Sequence, residues 1–255
     1  MTTPARSWFE EDGTLLRLRL TRPKANILDA EMIGAISGEL EKHSGKPKLR
    51  GLLLDAEGPH FSFGASVEEH LPEQCEPMLR DFHQLLLKML GLPYPVLVVI
   101  RGQCLGGGLE LACTGALLFA APDAKMGQPE IMLGVIAPAA SCLLPSRIGQ
   151  SIAEDLLISG RSIGAEEAFQ IGLVNSVDED PEKKARAYFK QHLASKSASS
   201  LRLAVQAVRK GVIGDFKRKL SAVEELYLEQ LMKTGDAEEG LKAFLEKRPP
   251  KWEDC

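Results

Sequence analysis

The chain has 255 residues, enough for one large α/β domain or one domain with a smaller appendage, and too few for two unrelated large domains. Its 31 lysines and arginines stand against 35 aspartates and glutamates, a formal charge of −4 with no basic block of the kind that contacts a phosphate backbone, so nucleic acid is not the expected partner. The five cysteines (Cys75, Cys104, Cys113, Cys142 and Cys255) form no C-x-x-C pair, which argues against a disulfide framework and a zinc site and fits a reducing cytoplasm.

The opening MTTPARSWFEED lacks the basic-then-apolar order of a secretory signal, and no apolar run reaches the ~18 residues needed to span a bilayer, so a soluble protein is expected. TLLRLRL, from Thr14 to Leu20, alternates leucine with arginine and predicts a strand with one wet face and one core face. LDAEMIGAISGELEKH (Leu28 to His43) predicts a helix capped by Asp29, with Met32, Ile33, Ile36 and Leu40 on one stripe. LRGLLLDA (Leu49 to Ala56), PVLVVIRG (Pro95 to Gly102) and ALLFAAP (Ala116 to Pro122) are apolar runs bounded by turn residues, as expected of strands covered on both sides. Between the first two, MLRDFHQLLLKML (Met78 to Leu90) predicts a helix that Gly91 and Pro93 stop.

This alternation runs to about residue 177, and from Pro181 onward the pattern predicts helices only, with amphipathic stretches at AVEELYLEQLM and AEEGLKAFLEK. The expected division is an α/β catalytic core over 1–180 and a helical region over 181–255. The tail RPPKWEDC reads as a peripheral extension, its two prolines ending the last helix. No internal repeat and no low-complexity tract is visible.

RGQCLGGGLE (Arg101 to Glu110) sets three glycines between a strand and a helix. Gly106, Gly107 and Gly108 lie where helix N–H groups are unpaired and the dipole is positive, which makes an anion site. The run is neither G-x-G-x-x-G nor a loop ending in G-K-[ST], so the anion read here is a transient one such as an enolate oxygen. Tight packing of helix on strand is the alternative use of the triplet. A second donor is available from GPHFSFGASVEEH (58–70), with Gly64 and Ala65 at its centre, and preorganised amides of this kind are worth ~3 kcal/mol each at a developing oxyanion. Glu110, three residues beyond Gly107, and Glu130, inside MGQPEIMLG, are carboxylates in apolar surroundings, costly unless used or paired, and they read as a general acid and base. His60 reads as a turn residue, His70, after two glutamates beyond the oxyanion turn, as a surface or helix-start residue with a place bordering the pocket as the alternative, and His83 as a residue of a mixed helix face with no motif around it. Cys104 and Cys113 read as small core residues.

Taken together, RPKAN (22–26), FSFGA (61–65), QCLGGGLELA (103–112), MGQPEIMLG (126–134), ISGRSIGAEEAFQIGLVNSV (158–177) and GLKAFLEKR (240–248) resemble the crotonase superfamily of acyl-CoA enzymes through nearly the whole chain. The resemblance implies an α/β fold, a spiral of ββα turns followed by a C-terminal α-helical trimerisation region, in a homotrimer or a homohexamer built as a dimer of trimers. It implies oxyanion amides at Ala65 and Gly107 and catalytic acids at Glu110 and Glu130, the pair that the hydratase branch retains. For the acyl-CoA thioester it implies Lys24, Ala25 and Phe63, with Gly64, Ser66, Gly106, Pro129 and Ala137 completing the set. Lys247 matches a C-terminal lysine that can reach the nucleotide phosphate of a neighbouring subunit. No metal and no cofactor is implied, coenzyme A being part of the substrate.

Two departures from the usual hydratase pattern bear on the substrate. Ser66 stands where typical hydratases carry aspartate, and VIAPAASCLLP (Val135 to Pro145) replaces a proline-glycine-rich loop near the attacking water, with Pro138 lacking an N–H. FSFGASVEEH, FAAPDAKMGQPE and APAASCLLP resemble instead the branch of cyclohexa-1,5-diene-1-carbonyl-CoA hydratases of anaerobic benzoyl-CoA degradation, which implies a pocket for a flat ring lined by Ala137, Ala139 and Ala140. A general 2-enoyl-CoA hydratase or isomerase is the alternative, and a non-catalytic acyl-CoA- or RNA-binding member of the fold the second.

Overall fold

The leucines of the arginine-alternating segment form a strand because their side chains are removed from water on one face of a sheet. In a computed structural model describing residues 3–254, a strand absent from the sequence expectations, β1 (Ala5–Glu10), runs antiparallel to β2 (Leu15–Leu20). Helix α1 (Ala30–Lys42) follows, its Asp29 cap accepting from Met32 N at 2.9 Å, and its apolar stripe Met32, Ile33, Ile36 and Leu40 is buried. Next come β3 (Gly51–Ala56), α2 (Cys75–Leu90), β4 (Val96–Ile100), the short β5 (Gln103–Leu105), α3 (Gly107–Cys113), β6 (Leu117–Ala120) and β7 (Lys125–Gly127).

The turn Pro129–Leu133 leads into α4 (Pro138–Ile148), α5 (Gln150–Ser159), β8 (Ser162–Gly164), α6 (Ala165–Gln170) and β9 (Ser176–Val177). The main sheet has the order β1-β2-β3-β4-β6-β9, parallel from β2 onward, and β5, β7 and β8 form a second, smaller sheet. Each pass through the main sheet is followed by a short strand or turn and a helix, the expected spiral of ββα turns. The apolar runs are covered on both faces. Leu52, Leu54, Val96 and Val98 face the large core, and Leu53, Leu97, Val99 and Phe119 face Ala185 and Phe189 on the other side.

The predicted wet face of β2 is not wet. Arg17 is 2% exposed. Its guanidinium pairs with Asp55 and, at 2.6 Å, with Glu182 Oε1, while Arg19 shares Asp55 and both guanidinium groups stack on Trp8. The reason is long-range: α7 (Pro181–Tyr188) carries Glu182 over this end of the sheet, so the arginines are buried as matched charge.

Beyond α7 the described chain is helical, as expected. The long α8 (Ala198–Glu229) packs on α4 and α2, and α9 (Gly235–Leu245) packs on the turn that carries Glu130. The last helix ends before the prolines, with Lys247 at a φ of 55°. Nor is the tail peripheral. Lys251 N donates to Glu239 at 2.8 Å, and Glu253 N and Asp254 N donate to the Asp236 carboxylate at 2.7 and 2.9 Å, because the acidic first turns of α9 offer acceptors to a returning backbone. Cys75, Cys104, Cys113 and Cys142 are free and buried, and Cys255 lies outside the described residues. Among the described residues no helix is long and apolar enough to cross a membrane, and no cluster of three His, Cys, Asp or Glu could hold a metal ion.

Candidate active site

The first of the two turns expected to supply oxyanion amides is tied together by the RPKAN segment. Asn26, fully buried, accepts from Arg22 N at 3.0 Å through its side-chain oxygen and donates to the carbonyls of Glu57 and His60 at 3.1 Å each. Ser62 Oγ donates to Asn26 O at 2.8 Å and accepts from Gly64 N at 3.0 Å, while Phe63 N donates to Ala25 O and Leu28 N to Gly64 O at 2.9 Å each. Ala65 N–H enters none of these bonds.

The second turn brings Gly107 beside it. Gly107 opens α3, so its N–H has no partner within the helix. A Cβ on Gly107 would stand 3.1 Å from Ala65 N, and one on Gly64 would stand 3.3 Å from Gly107 N. The two amides therefore sit side by side only because side chains are missing around them. Gly108 has a packing reason instead: a Cβ there would meet Ser62 at 2.8 Å. The tight packing considered for the glycine triplet is thus realised at Gly108.

Ala65 and Gly107 line a cavity of about 760 Å³, together with Gly64, Ser66, Gly106, Glu110, Pro129, Glu130 and Ala137. Ala25 and Phe63 lie at its wall. Lys24 and Lys247 are exposed and outside the lining, whereas Arg248 and Pro250 of the returning tail belong to it. Ala139 and Ala140 are also outside the lining. They turn into the core at 0% and 1% exposure because they follow Pro138 on α4, so of the three alanines only Ala137 faces the cavity.

The two carboxyls differ in setting. Glu110, 4% exposed on the first turn of α3, accepts a hydrogen bond from Ala140 N at 2.6 Å. Burial raises its pKa, opposed by the charge of His83 and by the amides of Ala140 and Ala139. Glu130 stands on the turn after β7, and burial, then the charge of Glu110, push it up to about 8. Buried Gln128, with its amide nitrogen turned toward this carboxyl, donates to both oxygens at 3.0 and 3.1 Å. One carboxyl thus accepts a backbone donor that favours its anion, while burial and the charge of that neighbour raise the pKa of the other.

Two histidines join this site: His83 in contrast to the mixed-face position expected for it, and His70 by the pocket-bordering alternative and not the favoured surface one. His83 is 2% exposed and lines the cavity from α2, its Nδ1 2.5 Å from Glu224 Oε1. His70 also lines it, donating from Nδ1 to Ser66 O at 2.7 Å. Neither was identifiable by motif. Glu224 is 141 positions away from His83, and only the packing of α8 on α2 joins them.

A family model described as enoyl-CoA hydratase/isomerase matches residues 10–255. The cyclohexa-1,5-dienecarbonyl-CoA hydratase of Thauera aromatica is 61% identical over 253 residues, 99% of this chain and 98% of the relative. A probable enoyl-CoA hydratase of Bacillus subtilis (strain 168) is 31% identical over 92% of this chain and 93% of its own. Among solved structures, carnitinyl-CoA hydratase from Mycobacterium avium superposes with a TM-score of 0.87 at 25% identity, with 100% of both chains covered.

Proposed function

The chain belongs to the enoyl-CoA hydratase/isomerase family, and on that premise we propose that it is a hydro-lyase converting cyclohexa-1,5-diene-1-carbonyl-CoA into 6-hydroxycyclohex-1-ene-1-carbonyl-CoA. The observation that carries the substrate is the 61% identity, over 99% of the chain, to the Thauera aromatica hydratase of that name. Anaerobic benzoyl-CoA degradation in the cytoplasm is the setting this reading implies.

In the proposed mechanism the thioester carbonyl accepts from the amides of Ala65 and Gly107, which draws electrons out of the conjugated ring. Glu110 is the base, its anion favoured by the Ala140 amide, and takes a proton from water as the oxygen attacks the β-carbon. The dienolate charge reaches the γ-carbon across the ring. Glu130, carrying a proton at neutral pH, delivers it there, giving net 1,4-addition. The apolar wall formed by Leu79, Phe82, Val135 and Ala137 keeps the dienolate away from bulk water.

Coenzyme A is part of the substrate, and the chemistry assigned here calls for no further cofactor or metal. Its nucleotide end is assigned to the cavity mouth, with Ala25 and Phe63 supplying contacts, Lys24 and Lys247 as outlying cations and Arg248 as a cation of the lining itself. A homotrimer, or two stacked as a hexamer, is supported by exposed apolar residues of the helical region 181–255, among them Leu203 and Val208 on α8. Light scattering would read that mass directly. The deciding test of function is turnover of cyclohexa-1,5-diene-1-carbonyl-CoA beside crotonyl-CoA, with products separated and weighed by mass spectrometry. Preference for the diene is expected. Preference for crotonyl-CoA would replace the substrate, and binding of both without turnover would replace the enzyme reading with a binding one.

A further inference from the structure

His83 is the buried titratable group that the mechanism above does not use. It stands on α2, 2% exposed, and lines the same cavity as Glu110 and Glu130. Its Nδ1 faces Glu224 Oε1 at 2.5 Å. An ionised carboxylate only accepts, so the Nδ1 proton is fixed by that bond and, in the neutral ring, Nε2 carries the lone pair. Nε2 is buried with no hydrogen-bond partner among the described residues. A buried polar nitrogen left unpaired is costly, so a small polar group that satisfies it is favoured there.

The neighbour that matters is Glu110. Both side chains are buried at the same cavity, near enough that a charge on the His83 ring would be the first interaction opposing burial at the Glu110 carboxyl; the neutral ring holds the same place with the Nε2 lone pair free. Glu130 has a different setting: its Oε1 lies over Gly106, beside the oxyanion amides, and Gln128 holds both its oxygens.

We propose that His83, oriented by Glu224, is a further catalytic residue: its Nε2 and the Glu110 carboxylate together hold the attacking water. A water that donates one hydrogen to each of two acceptors has its oxygen lone pairs aimed elsewhere, and here that direction is the substrate. As the C–O bond forms, one O–H bond breaks and its proton passes to Glu110; the other hydrogen stays on the new hydroxyl, bonded to His83 Nε2. Glu130 supplies the hydrogen that ends on carbon, and exchange of one proton between Glu110 and Glu130 restores the starting state. Atoms and charge balance with water as the only co-reactant. The clamp also answers Pro138, which has no N–H to offer a water. It rests on the hydratase reading of the site and is independent of which enoyl-CoA is hydrated.

The test uses the full-length enzyme and whichever of the diene and crotonyl-CoA the wild type hydrates, so a wrong substrate assignment does not decide it. Asparagine at 83 keeps an amide near Nδ1 for Glu224 and removes Nε2; His83→Asn is expected to lower kcat about 100-fold with KM within twofold, the size of a lost proton-handling group. His83→Ala leaves a ring-sized gap. Added imidazole is expected to raise its rate at least tenfold, while pyrazole, of the same size and far less basic, leaves it unchanged. Glu224→Gln, at a position whose side chain is 30% exposed, is expected to lower kcat about tenfold. A folded His83→Asn enzyme within threefold of wild-type kcat would overturn the proposal. So would equal rescue by pyrazole, which would make His83 a packing residue, or a wild type that hydrates neither ester.

Discussion

Gly106 and Glu130 are built against each other: at the glycine's φ of 49°, a Cβ would stand 2.5 Å from Glu130 Oε1. The turn that carries the proposed oxyanion amide of Gly107 therefore also fixes where the second carboxyl can lie. Glycine is required at 106 twice over, by its left-handed backbone and by the carboxyl packed on it. Gly106→Ala is expected to displace Glu130 and to disturb the neighbouring Gly107 amide, lowering kcat/KM by about 100-fold or more, comparable to losing one oxyanion donor. Steady-state kinetics beside thermal unfolding checks this, since an unchanged melting temperature would separate the site effect from a folding defect.

Removing either carboxyl removes a proton-transfer group and leaves the oxyanion amides in place. Glu110→Gln and Glu130→Gln are each expected to lower kcat roughly 1,000-fold while binding of a saturated CoA ester stays within a few-fold. Calorimetric titration with the ester gives the binding half of that statement. Unchanged rates in both variants would end the acid and base assignment.

The pH profile follows from the two settings. In the proposed mechanism Glu130 must carry its proton, and with a pKa pushed up to about 8 it does so below that pH and loses it above. Glu110 must be ionised, and because burial raises its pKa, its anion is lost as pH falls sooner than for an ordinary carboxylate. kcat is therefore expected to be bell-shaped, with the alkaline limb near 8. In Glu110→Gln the charge that helps raise Glu130 is absent, so the alkaline limb of the residual rate is expected to move down. An upward move would contradict the coupling.

What the sequence disclosed and what it withheld divide by range. Ala65, Gly107, Glu110 and Glu130 were legible because each sits in a turn whose neighbours announce it: glycines at a strand-to-helix junction, a carboxylate among apolar residues. Asp29 capping α1 was legible for the same reason. Arg17 was not, because an alternating strand looks the same whether its polar face meets water or meets Glu182, 165 residues away. His83 was hidden likewise, since its meaning depends on Glu224 in α8. Ala139 and Ala140 failed for a third reason: small residues at a pocket mouth and small residues in a tight core have the same composition, and only the direction of α4 tells them apart.

The buried arginine cluster makes its shared carboxylate costly to remove. Asp55, 1% exposed, accepts from both Arg17 and Arg19, and Asp55→Ala would leave Arg17 buried with fewer acceptors. A loss of about 3 kcal/mol in urea unfolding is expected, the cost of breaking a buried pair from one side. Trp8, stacked on Arg17 and Arg19, provides a fluorescence signal for the same transition.

Ala137 offers the sharpest test of what the cavity is shaped to hold. It is 4% exposed, lines the cavity beside Pro138, and is the one alanine of its loop that faces inward. A leucine there adds volume where a six-membered ring would lie, while a short acyl chain occupies less of that space. Overpacking of this kind costs about 1–3 kcal/mol, so Ala137→Leu is expected to lower kcat/KM for the cyclic diene by roughly 10- to 100-fold and for crotonyl-CoA by less. Ala139→Leu is the control, because that residue is 0% exposed and faces the core: its cost should appear in melting temperature with the ratio of the two substrates unchanged. If both variants lowered the two rates in parallel, Ala137 would belong to the scaffold, and the preference for a ring would have to be sought at other cavity residues such as Val67, Leu79 or Phe82.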